Sequence, residues 1–201
     1  ENTPSTYHLG YIIGPRINAG GRVGKCSHGA NLLLNSDSKQ SFKLASELDS
    51  FNKERQLLES NLLQNILDTK IKNLNDPVLI VYGNNWHEGI IGIIASRIKE
   101  KFNKPTIIIS VRDNIGKASA RSILGFDIGS VIISAVQKGI LLKGGGHKMA
   151  GGFNINMEKF NKFKEHVIKK FNALNVNLDK EKNFYIDSLI SPSALNFEFY
   201  S

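Results

Sequence analysis

The residues with the clearest chemical potential are the ten from Gly144 to Phe153, which read GGGHKMAGGF. Glycine has no side chain to hold a ligand away from the backbone, and it reaches dihedral angles that other residues avoid. We therefore expect the N–H groups of Gly144, Gly145 and Gly146 to converge on an anion, as in an anion-binding nest. His147 follows directly and adds a side chain that can donate a hydrogen bond or a proton. An ordinary glycine-rich turn is the alternative interpretation.

Two upstream segments carry further polar side chains, namely WHEGIIG at 86–92 and KASARSI at 117–123. Each lies beside a predicted strand, where α/β folds place their ligand sites. We predict phosphate contacts from the side chains of these segments that donate hydrogen bonds, with the arginine offering a planar fork: His87, Ser119, Arg121 and Ser122. The start of the predicted helix after His87 also attracts anions. Trp86 either stacks a nucleobase or packs in the core.

A third group of polar side chains lies near the N-terminus, in LGYIIGPRINAGGRVG at 9–24. We predict a glycine-punctuated loop here, because Pro15 fixes one dihedral angle and disfavours helix at Gly14. Arg16, Asn18 and Arg22 then stand on this loop as two cations around an amide, a set suited to a phosphate or a carboxylate. Solvated arginines on a plain linker are the alternative.

Other kinds of site find little support in the sequence. Histidine and carboxylate residues are not clustered at metal-ligand spacing, and the HExxH pattern that begins at His87 lacks its second histidine. Neither GxxxxGK[ST] nor GxGxxG occurs, which disfavours nucleoside triphosphate hydrolysis. We therefore predict that this chain itself binds no metal. Cys26 is the single cysteine, no apolar run is long enough to cross a bilayer, and no signal peptide is recognisable, so we expect a cytoplasmic protein without a membrane partner.

The formal net charge of +8 is unevenly distributed along the chain. Residues 37–75 carry six basic and six acidic side chains, whereas residues 76–156 carry ten and five. The excess of positive charge therefore coincides with the glycine-containing motifs. A polyanion is the partner that this pattern favours.

The elements that must position these residues follow from hydrophobic periodicity. A long amphipathic helix is predicted over 37–75, capped by Ser36 or Asp37 and bridging two parts of the protein, with a coiled-coil dimer stripe as the alternative. Strands are then predicted at 78–82, 106–111, 117–123, 152–155 and 184–186, and helices at 89–102, 127–137 and 158–174. The fold class is α/β, with a long connecting helix followed by a compact domain whose mixed sheet is flanked by helices.

Five segments together resemble the RecJ-type single-strand DNA exonucleases of the DHH phosphoesterase superfamily. They are PRINAGGRVG, LDSFNKER, WHEGIIGIIASRI, SARSI and GGGHKMAGGF, in the order that is usual for that family. The sequence departs from the usual pattern at Gly20 and Gly151, where alanine is common, and at Ala118 and Ala120, where glycine is common. The last motif alone is shared with the wider DHH-associated domain.

The resemblance implies a catalytic DHH domain, with manganese or magnesium on aspartates and histidines, joined by a long helix to a DHH-associated domain. Neither an Asp-His-His triplet nor a DxD motif occurs in the 201 residues. We therefore divide the chain into a linker from an absent DHH domain at 1–36, the connecting helix at 37–75, the DHH-associated domain at 76–175, and the truncated start of a following segment at 176–201.

The expected function is that of the substrate-binding half of a 5′→3′ exonuclease that hydrolyses single-stranded DNA in repair and recombination. Single-stranded DNA and a DHH catalytic domain, in cis or as a separate chain, are the expected partners, and the chain alone is expected to bind without cutting. Two alternatives stay open. One is a free-standing DHH-associated module that binds a nucleotide or nucleic acid without catalysis, and the other is a degraded gene fragment.

Overall fold

The structure is a computed structural model, and it describes residues 3–71, 75–174 and 186–200. These residues form a group of N-terminal helices, one long helix, and a five-stranded mixed sheet with helices on both faces. The predicted fold class is therefore confirmed. None of the helices within the described ranges combines the length and the apolar character needed to cross a bilayer.

The N-terminal segment is helical, so the loop predicted over 9–24 is wrong. A π-helical segment, His8–Ile13, leads into α1, Gly14–Val23, and then into α2, Ser27–Leu34. Pro15 lies in the first turn of α1, where proline is tolerated. Gly20 serves packing, since a Cβ there would come within 3.0 Å of Leu48 on the following helix.

The long helix α3 extends over Ser38–Thr69, which is about 48 Å at 1.5 Å per residue. Asp37 caps it as predicted, accepting hydrogen bonds from the backbone N–H groups of Lys39 and Gln40. The helix ends before the predicted residue 75, and residues 72–74 lie outside the described ranges. Its first half packs against α1 and α2, whereas Ile66 near its end is buried beside the sheet. The helix therefore joins the N-terminal helices to the α/β domain.

The α/β domain contains the sheet and three helices: β1, Leu79–Asn84; α4, Glu88–Phe102; β2, Thr106–Arg112; β3, Ile115–Arg121; α5, Ile128–Gln137; β4, Lys143–His147; β5, Ala150–Asn156; and α6, Phe160–Asn172. The strand order is β1-β2-β3-β5-β4, with β1 and β2 parallel and the other pairs antiparallel. The hairpin turn between β2 and β3 has positive φ at Asp113 and Asn114, as the tight turn requires. Strand β4 was not predicted.

The two faces of the sheet are covered differently. On one face, α5 and α6 bury a core that includes Ile132, Phe153 and Phe163. On the other face, α4 and the end of α3 cover β1, β2 and part of β3, with Ile94 and Ile108 fully buried. Since α4 contacts no strand beyond β3 to a comparable extent, the part of this face over β5 and β4 is left open.

A buried carboxylate fixes α4 relative to α3. Glu59 of α3 accepts a hydrogen bond from Arg55 at 2.7 Å and another from Arg97 of α4. Two cations around one buried carboxylate offset the cost of removing its charge from water. The wall that α4 makes beside the open part of the sheet is therefore anchored.

The end of the chain adds a 3₁₀ turn, Pro192–Ala194, and a short helix α7, Phe197–Tyr200. Two residues of the strand predicted at 184–186 lie outside the described residues. Ile186 is described and forms no strand.

Candidate nucleic-acid interface

The open part of the sheet presents three cross-strand rows of side chains on one face. Residues that oppose one another directly in an antiparallel sheet point to the same face. The register gives the rows, each read from β3 through β5 to β4, as Arg121–Ala150–His147, Ser119–Gly152–Gly145 and Lys117–Asn154–Lys143. We call these nine residues the open floor. It measures about 10 Å across, two strand spacings, with α4 as a wall along β3.

The centre of the open floor is bare because Gly145 and Gly152 have no side chains. A Cβ at Gly145 would meet nothing within 4 Å, and one at Gly152 would make only an ordinary contact at 3.4 Å. Both residues are in strand conformation, without positive φ. Glycine weakens a strand, and in this position it commonly marks the close approach of a ligand. The fold therefore has no need of glycine at these two positions.

The remaining glycines of the motif face α5, on the opposite side of the sheet. A Cβ at Gly144 would lie 2.6 Å from Phe153 and 2.8 Å from Ile132, and one at Gly151 would lie 2.5 Å from Ile132. The three consecutive glycines are extended in β4, whose N–H groups alternate between its two edges. Their amides therefore do not converge, and the predicted nest is wrong.

Arg121 lies against α4 at the edge of the open floor. Its Nε donates to Ser96 Oγ at 3.1 Å, and its Nη1 donates to Ser119 Oγ at 3.1 Å and to the carbonyl of Ala120 at 2.9 Å. Gly92 makes room, since a Cβ there would come within 3.1 Å of Arg121 Nη2. No carboxylate of the described residues pairs with this guanidinium, and burial, followed by the charge of Arg22, lowers its pKa. It is a fixed and partly desolvated cation, and its Nη2, which lies beside Gly92, donates no hydrogen bond to another described residue.

Arg22 and His87 lie where α1 meets the start of α4, and the charge of Arg22 acts on Arg121. Arg22 Nη1 donates to the carbonyl of Gly89 at 3.2 Å, and the lack of a side chain on Gly89 lets the α1 backbone come this close. His87 caps α4, with its Nδ1 accepting from the N–H of Gly89 at 3.1 Å. His147 Nδ1 similarly accepts from the N–H of Met149 at 3.3 Å. In both rings the neutral form then carries its proton on Nε2, a hydrogen-bond donor.

Comparison with known proteins identifies the family of the α/β domain. The model of the DHHA1 domain matches residues 75–173. The single-stranded-DNA-specific exonucleases RecJ of Dickeya dadantii and Escherichia coli are 37% and 36% identical to this chain over 165 residues. A crystal structure of RecJ in complex with Mn²⁺ from Thermus thermophilus superposes with a TM-score of 0.76 at 30% identity, covering 85% of this chain and 25% of that one. The chain carries a RecJ-type DHH-associated domain.

The match to these relatives is partial on their side. The alignments cover 78% of this chain but only 29% of the Dickeya and Escherichia proteins. The chain therefore spans less than a third of the length of these relatives. The resemblance noted in the sequence is confirmed for the DHH-associated part, to which the open floor belongs.

Several predicted phosphate contacts of the DHH-associated domain and its neighbouring helices are not brought to the open floor. Ser122 is buried, and its hydroxyl donates to the carbonyl of Phe126 at 2.6 Å, so the prediction for this residue is wrong. Arg16 pairs instead with Asp49 on α3 at 2.8 Å. Hydrogen bonds from Lys53 and then from Arg16 lower the pKa of that carboxyl. Asn18 is exposed on α1, and no hydrogen bond among the described residues joins its side chain to the floor.

Trp86 follows the packing alternative. Its indole covers Gly83, where a Cβ would lie 2.8 Å from Nε1, and its carbonyl accepts a hydrogen bond from Ser110 at 2.6 Å. The side chain is partly buried against the core under α4.

Three polar residues of the open floor were missed, namely Lys117, Lys143 and Asn154. Period-two alternation was the signal that could have found them, since KGGGH places its lysine and histidine on the same face of a strand. Treating the glycines as a turn concealed this alternation. Lys117 also pairs with Glu88 in the first turn of α4, at 2.5 Å.

The residues that the structure describes do not fit a divalent metal. Within them, no group of three or more histidine, cysteine or carboxylate side chains is placed to hold an ion. The Mn²⁺ of the Thermus protein therefore has no counterpart set of donors here, and we derive no metal-dependent step for this chain.

Proposed function

We propose that this chain is the strand-binding part of a 5′→3′ single-stranded-DNA exonuclease that acts in DNA repair and recombination. Hydrolysis belongs to a DHH catalytic domain, in cis or as a separate chain, which would hold manganese or magnesium. The similarity to the single-stranded-DNA-specific exonucleases RecJ of Dickeya dadantii and Escherichia coli supports this assignment. The chain on its own is expected to bind a strand without cutting it.

The environment of Arg121 is the observation that carries the proposal. Its guanidinium is partly desolvated, has no carboxylate partner among the described residues, and is near a second cation, Arg22. A phosphate at Nη2 would accept charge-assisted hydrogen bonds and offset both the burial and the repulsion. The bare centre of the floor beside it lets a polymer lie directly on the sheet.

Exposed apolar side chains on the N-terminal helices favour this proposal over a free-standing binding module. Eight large apolar residues among residues 3–42 are exposed: Tyr7, Leu9, Tyr11, Ile12, Ile13, Leu33, Leu34 and Phe42. Such a concentration is typical of a surface that another domain covers. We propose that the DHH catalytic domain packs here.

The proposal is tested by the affinity of the purified chain for single-stranded DNA. Arg121→Ala is expected to weaken binding by about 1–3 kcal/mol, the scale of a lost charge-assisted hydrogen bond. Lys162→Ala is the control, because Lys162 is exposed on α6, on the opposite side of the sheet. Fluorescence anisotropy with a labelled oligothymidylate measures both.

Arg121 also supports the fold, so thermal unfolding of each variant accompanies the binding measurement. Arg121→Lys keeps the charge but loses the planar fork, and an intermediate affinity is expected. Unchanged affinity in a folded Arg121→Ala variant contradicts the proposed site. Steep weakening by salt is expected in the wild type, because phosphate contacts release counterions.

A further inference from the structure

We propose that the bound single-stranded DNA continues along β5 from the Arg121–His147 row to the Lys117–Asn154–Lys143 row. Lys143 and Asn154 form a second binding position there. This inference rests on the proposed function, since it extends the same surface. It adds two residues to which neither the motifs nor the comparisons assign a role. It also orients the bound DNA along the β-strands of the sheet rather than across them.

The spacing of the rows supports this path. Rows on one face of a sheet are two residues apart, so the first and third rows of the open floor are separated by about 14 Å. The middle row between them contributes Gly145 and Gly152, which raise no side chain above the sheet. An extended DNA strand can therefore contact the first and third rows while lying on bare protein backbone between them.

Lys143 is the cation of the third row that is available to a phosphate. It is exposed at the start of the edge strand β4, and none of the carboxylates in the described ranges forms an ion pair with it. Lys117, at the other end of the row, is paired with Glu88. That carboxylate also lies at the start of α4, where the helix dipole favours it. In this row the ammonium group of Lys117 is therefore engaged in an ion pair, whereas that of Lys143 is available to a phosphate.

Asn154 lies between these two lysines and is half-buried on β5. Its backbone is fixed, because its carbonyl accepts a hydrogen bond from the N–H of Leu142 at 2.9 Å. A side-chain amide offers two donors and one acceptor, which suits a phosphate oxygen or the edge of a base. Its position next to Gly152 places this amide at the end of the bare strip.

A comparison of oligothymidylates of two lengths tests the path. A 5′-phosphorylated dinucleotide is the short probe, sized to the Arg121–His147 row, and a longer oligothymidylate also reaches the third row. Lys143→Gln is expected to weaken binding of the longer probe about two- to fivefold, the range for an exposed charge pair, and to leave the dinucleotide unaffected. The slope of log K against log salt should become shallower by about 0.7 for the longer probe.

Asn154→Asp places a carboxylate in the same row. Because this carboxylate repels the phosphate, the substitution is expected to weaken binding of the longer probe more than Lys143→Gln does. Lys162→Gln, on the opposite side of the sheet, is the matched control for charge and should change neither affinity. Equal weakening of both probes by Lys143→Gln overturns the path, because Lys143 would then belong to the first position.

Arg121→Ala separates this inference from the proposed function. If Arg121→Ala weakens binding of both probes and Lys143→Gln weakens binding of neither, the path along β5 is wrong while the proposed function stands. If neither substitution changes either affinity, the proposed function itself is wrong, and the path is overturned with it.

Discussion

The two faces of the β4–β5 pair use the same residue type for opposite reasons. Toward α5, Gly144 and Gly151 are glycines because Ile132 of α5 and, at Gly144, also Phe153 of β5 fill the space that a Cβ would occupy. Toward solvent, Gly145 and Gly152 border open space, and a Cβ would be tolerated. A single run of glycines therefore interleaves a packing requirement with an empty surface at the period-two spacing of a strand.

This difference separates stability from binding at adjacent positions. A glycine that the fold requires costs stability when it is replaced, whereas a glycine that the fold does not require can be replaced without that cost. In the proposed function, the weakened strand propensity of Gly145 and Gly152 is the cost of a bare surface on which DNA would lie. Substitutions on the packed face should consequently lower stability, whereas substitutions on the open face should weaken binding.

The largest expected effect is on stability, at the packed face. Gly144→Ala should lower the free energy of unfolding by about 1–3 kcal/mol, because the new methyl group overlaps Phe153 and Ile132. Gly145→Ala, one residue further on, should leave it unchanged or raise it by about 0.5–1 kcal/mol, since alanine restricts the unfolded chain more than glycine does. Urea unfolding of both variants provides the measurement. Equal losses at the two positions would remove the distinction between the faces.

The next effect is on binding, at the open face. Gly145→Val should keep the fold but weaken the affinity for single-stranded DNA about tenfold, or about 1.4 kcal/mol, because the branched side chain rises from the floor. Gly145→Ala should give a smaller loss, so the two variants form a graded series. An anisotropy titration with a labelled oligothymidylate measures it. Undiminished affinity of a folded Gly145→Val variant would show that the strand does not cross the bare centre.

The sequence predicts those parts of the fold that depend on local patterns. Asp37 caps the long helix as expected, the helix predicted from residue 127 begins there with Asp127 as its cap, and Phe163 and Val167 face the core as the periodicity of α6 indicates. These features depend on neighbours a few residues away. The five motifs, through the family that they resemble, also indicated the region of the candidate site.

The errors arise where glycine serves tertiary packing. In α1 and in β4, glycine was interpreted as a sign of turns, although Gly20 and Gly144 are there so that α3 and α5 can approach. Local sequence does not show which helix will pack on which strand, so tertiary contacts override the local preference. Ser122 was misplaced for a related reason, because β3 ends at Arg121 and the next hydroxyl turns into the core.

The smallest expected effect concerns acid, and it acts on the packed face through His166 of α6. This histidine is buried, and its Nε2 has no hydrogen-bond partner within the described part of the chain. Burial lowers its pKa, and the charges of Lys138 and Lys170 lower it further. Protonation is then easier in the unfolded chain, where a histidine has a pKa of about 6.5. The unfolded state therefore binds more protons, and stability is lost as the pH falls below that value.

His166→Leu removes this proton-binding group and should flatten the dependence of stability on pH. Urea unfolding at pH 7.5 and at pH 5.5 should show a larger loss in the wild type than in the variant. The carboxyls whose pKa values are lowered, Asp49 and Asp127, titrate at more acidic pH and do not contribute to this difference. Parallel losses in the two proteins would mean that His166 takes up its proton equally well in both states. The other histidines are the same in both proteins, so the difference between their losses reports on the α6 core around His166.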